Sequence, residues 1–124
     1  MTSREWVEAA RIRLQAATVL LENDYPSDAL TRAHVAAFSA GKALLISRGL
    51  TAKTHRRTHT LIHKHLREEV DTALLRALQE EREDCDYRLL QPSSSKVKRR
   101  LQQVQSFVED AEEVAVSEEN DSPG

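Results

Sequence analysis

Six apolar residues toward the C-terminal end, Val97, Leu101, Val104, Val108, Ala111 and Ala115, recur at alternating intervals of four and three. That spacing places them on one face of a helix laid along a bundle, roughly 30 Å long at 1.5 Å per residue. A single stripe needs other helices to cover it, and the rest of the chain repeats the pattern. Only 3 Gly and 3 Pro interrupt 124 residues, which favours long regular elements over a loop-rich β architecture. The expected fold is all-α, an up-and-down helical bundle of four to five helices. It forms a single domain over residues 1–117, followed by a disordered acidic tail, 118–124.

Capping chemistry marks the helix ends. Thr2-Ser3-Arg4-Glu5 reads as a capping box opening a first helix, which continues through Trp6, Ala10, Leu14, Ala17, Leu20 and Leu21. Asn23 to Asp28 concentrates stop and start signals, with Pro26 at the first turn of a second helix that runs to about Arg48 and is closed by Gly49. This second helix is rich in small residues, among them Ala29, Ala33, Ala36, Ala37, Ala40 and Gly41, so it is expected at the centre with neighbours on several sides. Thr54 is placed to cap a third helix, His55 to about Glu69, and a break near Val70-Asp71-Thr72 leads to a fourth carrying Leu74, Ala77 and Leu78. Gln91-Pro92-Ser93-Ser94-Ser95 separates it from the last helix.

Charge and cysteine content exclude several classes. The formal net charge is −2, so no global field draws the chain to nucleic acid or an anionic membrane, and such binding needs a local patch. The one cysteine, Cys85, has no internal disulfide partner. The charged start MTSREW is unlike a secretory signal, and no run approaches a membrane span of roughly 20 apolar residues, so the cytoplasmic compartment is the expectation.

Few residues carry obvious chemistry. His55, His59 and His63 stand four apart on one helix face, a spacing compatible with metal ligation, but Thr60 stands where a metalloprotease helix has glutamate, and no metal or cofactor is expected. The same helix carries Arg56, Arg57, Lys64 and Arg67, a basic patch suited to phosphate or simply to water. Gly41, Gly49 and Gly124 are nowhere grouped, which excludes a glycine-rich phosphate loop, and Ser39 lacks the flanking glycines of a nucleophile elbow. Arg32, among small residues, either snorkels to water, pairs with a carboxylate or holds a phosphate in its rigid fork.

Several separated pieces together resemble the HEPN domain family. They are Leu20 to Tyr25, Asp28 to Ala33, Ala36-Ala37-Phe38, Lys42 to Leu45, Gly49-Leu50, Lys53-Thr54-His55, and Arg82 with Asp86-Tyr87. The resemblance implies a compact helical bundle, commonly a homodimer, often encoded beside a small nucleotidyltransferase in a toxin-antitoxin pair. Some members are metal-independent ribonucleases whose motif is an arginine followed along the same helix by a histidine. Histidine shuttles a proton while arginine stabilises charge on the phosphate. Here Arg32 stands at the arginine, but Ser39 stands at the histidine, and His34-Val35 replace two aromatic residues. His34 lies two residues from Arg32, about 200° around the helix, and so points nearly the opposite way. Arg57 and His63 also satisfy a loose arginine-then-histidine spacing. Arg82 to Tyr87 resembles the family's Arg-x-x-x-Asp-Tyr ending, where Tyr87 is expected to pack its ring while Arg82 pairs with a carboxylate.

The resulting expectation is a non-catalytic HEPN-like homodimer that binds a nucleotidyltransferase partner, a nucleotide or RNA through a cleft around Arg32. Ser39, His55, Arg56, Arg57, His59, Arg82 and Tyr87 complete its ligand-binding surface. The alternative is a ribonuclease toxin with Arg32 and a non-standard histidine, the candidates being His34, His59 and His63. A third possibility is an assembly protein that dimerises through its small-residue helix.

Overall fold

The computed structural model describes residues 1–89 and 91–121, with side chains described to Val116. The fold is all-α: α1 (Ser3–Glu22), α2 (Pro26–Ser47), α3 (His55–Leu66), α4 (Thr72–Arg88) and α5 (Ser94–Asp121). The capping box closes as expected, with the Glu5 amide donating to Thr2 Oγ1 at 3.1 Å and the Thr2 amide donating to Glu5 Oε1 at 3.0 Å. Thr54 Oγ1 accepts from the Arg57 amide at 3.0 Å, and Ser93 Oγ accepts from the Lys96 amide at 3.2 Å. Gly49 has φ +69°, and the Leu50 amide reaches back to the Leu45 carbonyl at 2.8 Å, a left-handed close that glycine adopts without strain. Two ends differ from expectation. Helix α3 stops at Leu66, three residues before Glu69, and α5 spans 28 residues, about 42 Å rather than 30 Å. It therefore includes the first residues of the expected tail, whose remainder, 122–124, lies outside the described residues.

Three ties fix how the helices run. Ser3 Oγ donates to the Ala43 carbonyl at 3.2 Å, and Val7, Ala43 and Ala115 share a small cluster, so the start of α1 meets the ends of α2 and α5. Ser27 Oγ bonds Gln91 Oε1 at 3.0 Å, joining the start of α2 to the α4–α5 connection. Consequently α1 and α4 run antiparallel to α2, and α5 runs parallel to it. Arg100 then grips Glu81 through Nε at 2.7 Å and Nη2 at 3.2 Å, linking α5 to the middle of α4.

Helix α2 is the axis of the bundle, buried along Ala29, Leu30, Ala33, Ala36, Ala37, Ala40, Leu44 and Leu45. Its small residues let the other helices approach closely: a Cβ on Gly41 would lie 2.6 Å from Ile62 Cδ1 of α3. All six residues of the α5 stripe are buried, joined by Phe107, which the four-and-three spacing passes over. Each large apolar side chain removed from water in this core contributes about 1.5–3 kcal/mol before entropy is counted. No helix among the described residues is long and apolar enough to cross a membrane.

Candidate functional site

Among the described residues fully buried polar side chains are few, and His34 is the largest of them at 0% exposure. Helix geometry explains its position. At about 200° from Arg32 it falls on the side of α2 that meets α3 and α4, whereas Arg32 faces solvent. The His34 ring centroid lies 5.9 Å from that of His59, edge-on, and 6.3 Å from that of His55. Phe38, one turn further along α2, stacks on His55 with centroids 4.0 Å apart, and the Lys42 ammonium sits 5.5 Å from the Phe38 ring while donating to the Ala52 carbonyl at 2.7 Å. Phe38 and His55 thereby form an outer layer over His34.

The nitrogens of this cluster lack partners. Both ring nitrogens of His34, His59 Nε2 and Arg82 Nε are buried without a hydrogen bond, as is Gln79 Oε1. Arg82 Nε stands 3.4 Å from Asp86 Oδ2, an ion pair without hydrogen-bond alignment. Burial pushes the His34 pKa down to about 4, and the positive charges of Arg82, His59 and His55 push the same way. His55 is lowered by burial, Arg82 and Lys42, and His59 by burial and His55. Near neutral pH the three imidazoles are therefore neutral, each with a nitrogen lone pair and an N–H whose positions depend on the tautomer.

Outside this layer, α3 and α4 enclose a groove of about 670 Å³ lined by His55, Arg56, His59, His63, Arg76 and Gln79, with further residues of both helices. The amide of Gln79 is oriented by donating to Glu83 Oε1 at 2.8 Å, which turns its carbonyl inward. His63 pairs through Nδ1 with Thr72 Oγ1 at 2.9 Å, so the histidine that joins His55 and His59 is His34 from another helix. Among the described residues, no group of three or more His, Cys, Asp or Glu side chains is arranged to hold a metal ion.

The remaining candidates are dispersed. Ser39 is 1% exposed, and its hydroxyl donates to the Val35 carbonyl at 2.9 Å, so it is packed and satisfied. Arg57 is exposed on α3, and Tyr87 is 83% exposed on α4. The expected pairing of Arg82 with a carboxylate is present, but the expected packing of the Tyr87 ring is not: as the penultimate residue of α4 it projects past the core. Nothing in the sequence marks Gln79, Phe38 and Lys42 as part of this site. The 3.6-residue period sets Phe38 one turn from His34 and Lys42 another turn beyond, but only the docking of α3 shows what that face meets.

The second, third and fourth helices of this bundle thus bring together three histidines and Arg82 beside a groove between α3 and α4. The HEPN domain family model matches residues 3–115, and the chain belongs to that family. It is also similar to the protein named "Putative toxin MJ0605" of Methanocaldococcus jannaschii, with 43% identity over 49 residues. That match covers 40% of this chain and 37% of the relative, so the chain spans little more than a third of the length of the protein it matches.

Proposed function

We propose that the protein is a toxin-like HEPN protein that binds RNA or a nucleotide through phosphate contacts at the α2–α3–α4 cluster, without cleaving it. The carrying observation is His34, buried with both ring nitrogens unpartnered beside His55, His59 and Arg82. Buried polar groups without partners are uncommon and costly, and a phosphate oxygen accepts from imidazole and guanidinium alike. The cluster supports the histidine side of α2 as the ligand site more strongly than the exposed Arg32 side. Arg56 supplies outer charge from the groove wall, Arg32 lies on the opposite side of α2, and the Ser39 hydroxyl is committed to the Val35 carbonyl. The family membership supports a homodimer and a nucleotidyltransferase partner as its setting.

The non-cleaving reading is supported by Ser39, which stands where the family's ribonucleases carry a histidine and whose hydroxyl cannot shuttle a proton near neutral pH. Fluorescence anisotropy with a labelled RNA oligonucleotide tests the binding: Arg82→Ala is expected to weaken it about tenfold, with intact RNA recovered afterwards. Failure to bind at low salt would sink the reading.

One observation favours the ribonuclease alternative: a neutral His34 is already in the form of a general base, with the Arg82 guanidinium nearby to stabilise charge. That reading expects growth arrest on expression, relieved by replacing His34, His59 or His63 singly. Unchanged arrest in all three variants would exclude a mechanism using those histidines.

A further inference from the structure

The charges around His34 are one-sided. From its own helix it meets Phe38, with Lys42 a turn beyond. From α3 it meets His55 and His59, with Arg56 on the adjoining groove wall, and from α4 it meets Arg82. Each α4 carboxylate of this region is tied to a neighbour: Asp86 pairs with Arg82, Glu83 accepts from Gln79 and lines the same groove as His55 and His59, and Glu81 is held by Arg100 and Lys96 of α5. Three imidazoles thus share one small volume with a guanidinium, and the charges acting on His34 are those of Arg82, His59 and His55, while the carboxylates of Asp86 and Glu83 are set on Arg82 and Gln79.

A bound anion reverses that balance. Its field favours the imidazolium forms that burial and Arg82 oppose, and each newly charged ring becomes a donor at both nitrogens. Ligand and protons therefore bind to a common set of groups, and linkage requires that each strengthen the other. Resting on the phosphate-binding reading above, we propose that ligand binding at this cluster is coupled to proton uptake by His34, His55 and His59, so that the protein holds a phosphodiester more tightly as pH falls. The device makes occupancy of the cleft a function of pH with no change of fold. It also selects by chemistry: the preferred ligand brings negative charge into the cluster, and a neutral nucleoside gains nothing from acidification.

The test is calorimetry with a short oligoribonucleotide lacking terminal phosphates, because its phosphodiesters do not titrate in this range whereas a terminal phosphate does, near pH 6. Titrations run at fixed ionic strength between about pH 8 and about pH 6, in paired buffers of different protonation enthalpy, give the number of protons taken up. Expected are uptake of about half to one proton per site and affinity rising about three- to tenfold per pH unit. Ring-nitrogen NMR should show the His34, His55 and His59 resonances moving toward the protonated form on binding. His34→Gln combined with His59→Gln should reduce the uptake. Should that variant not fold, the NMR of the unaltered protein decides. Binding with no uptake, tighter binding at higher pH, or uptake confined to His63 and His65 would overturn the coupling while leaving phosphate binding in place. No binding at either pH would instead remove the phosphate-binding reading itself.

Discussion

A neutral imidazole buried beside a guanidinium makes the folded state sensitive to acid. His34 has a folded-state pKa of about 4, against an ordinary value of 6.5. Above about pH 6.5 it is neutral folded or unfolded and contributes no pH dependence. As pH falls through the interval between the two values, the unfolded chain takes the proton first, and stability is lost. The loss should reach about 3 kcal/mol by pH 4, visible as a falling urea midpoint between pH 7 and pH 4.5. His34→Leu should flatten most of that slope, and an unaltered slope would mean another group controls it. Ser39 presents the opposite case. Its site is closed and its hydroxyl satisfied, so Ser39→His forces a larger ring into packed space and should cost about 1–3 kcal/mol. Thermal unfolding should be measured before any activity of that variant is interpreted.

Helix α3 carries two of the three clustered histidines, so what holds α3 also holds the cleft. Its first turn depends on Thr54, whose hydroxyl accepts from the Arg57 amide and whose carbonyl accepts from the Thr58 hydroxyl at 2.9 Å. Thr54→Ala should cost about 1 kcal/mol and weaken RNA binding by loosening His55, the residue just inside the cap. The close approach of α3 to α2 gives a sharper prediction. Gly41→Ala gains helix propensity but drives its methyl into Ile62 Cδ1, and Ile62 is fully buried with little room to turn. The single substitution should destabilise by about 1–2 kcal/mol, and adding Ile62→Val, which removes the opposing methyl, should recover part of it. Additive losses in that double-mutant cycle would show that the contact is not limiting. Elements of this kind were legible in advance because the Thr2-Glu5 box, Pro26, Gly49 and Thr54 act within a few residues of themselves. The cleft was less so. Periodicity separates Arg32 from His34 correctly, but which of the two meets α3 depends on contacts more than twenty residues apart in sequence. Phe107 escaped for a related reason, since α5 packs on α1 and α2 together and buries a stripe wider than the one its spacing outlines.

At the scale of the molecule, α1, α2 and α5 form the firm part of the bundle, while α3 and α4 rest on it through fewer contacts. The tie that steadies α4 is Glu81, where burial works to raise the carboxyl pKa but hydrogen bonds from Arg100 and Lys96 outweigh it and hold it below the ordinary value. Stability from this tie is present above the ordinary carboxylate range and is lost as pH falls through the lowered value. Arg100→Ala should therefore destabilise by about 1–3 kcal/mol at pH 7 and by less in acid, as chemical denaturation at both pH values would reveal. The histidine cluster lies between the two unequally held parts, with His34 buried on α2 and His55 and His59 packed against it from α3. Amide hydrogens of α3 should accordingly exchange with solvent far faster than those of α2, by partial openings that leave α1, α2 and α5 intact. Each such opening uncovers His34, so the protein reaches its most secluded imidazole by breathing along one seam.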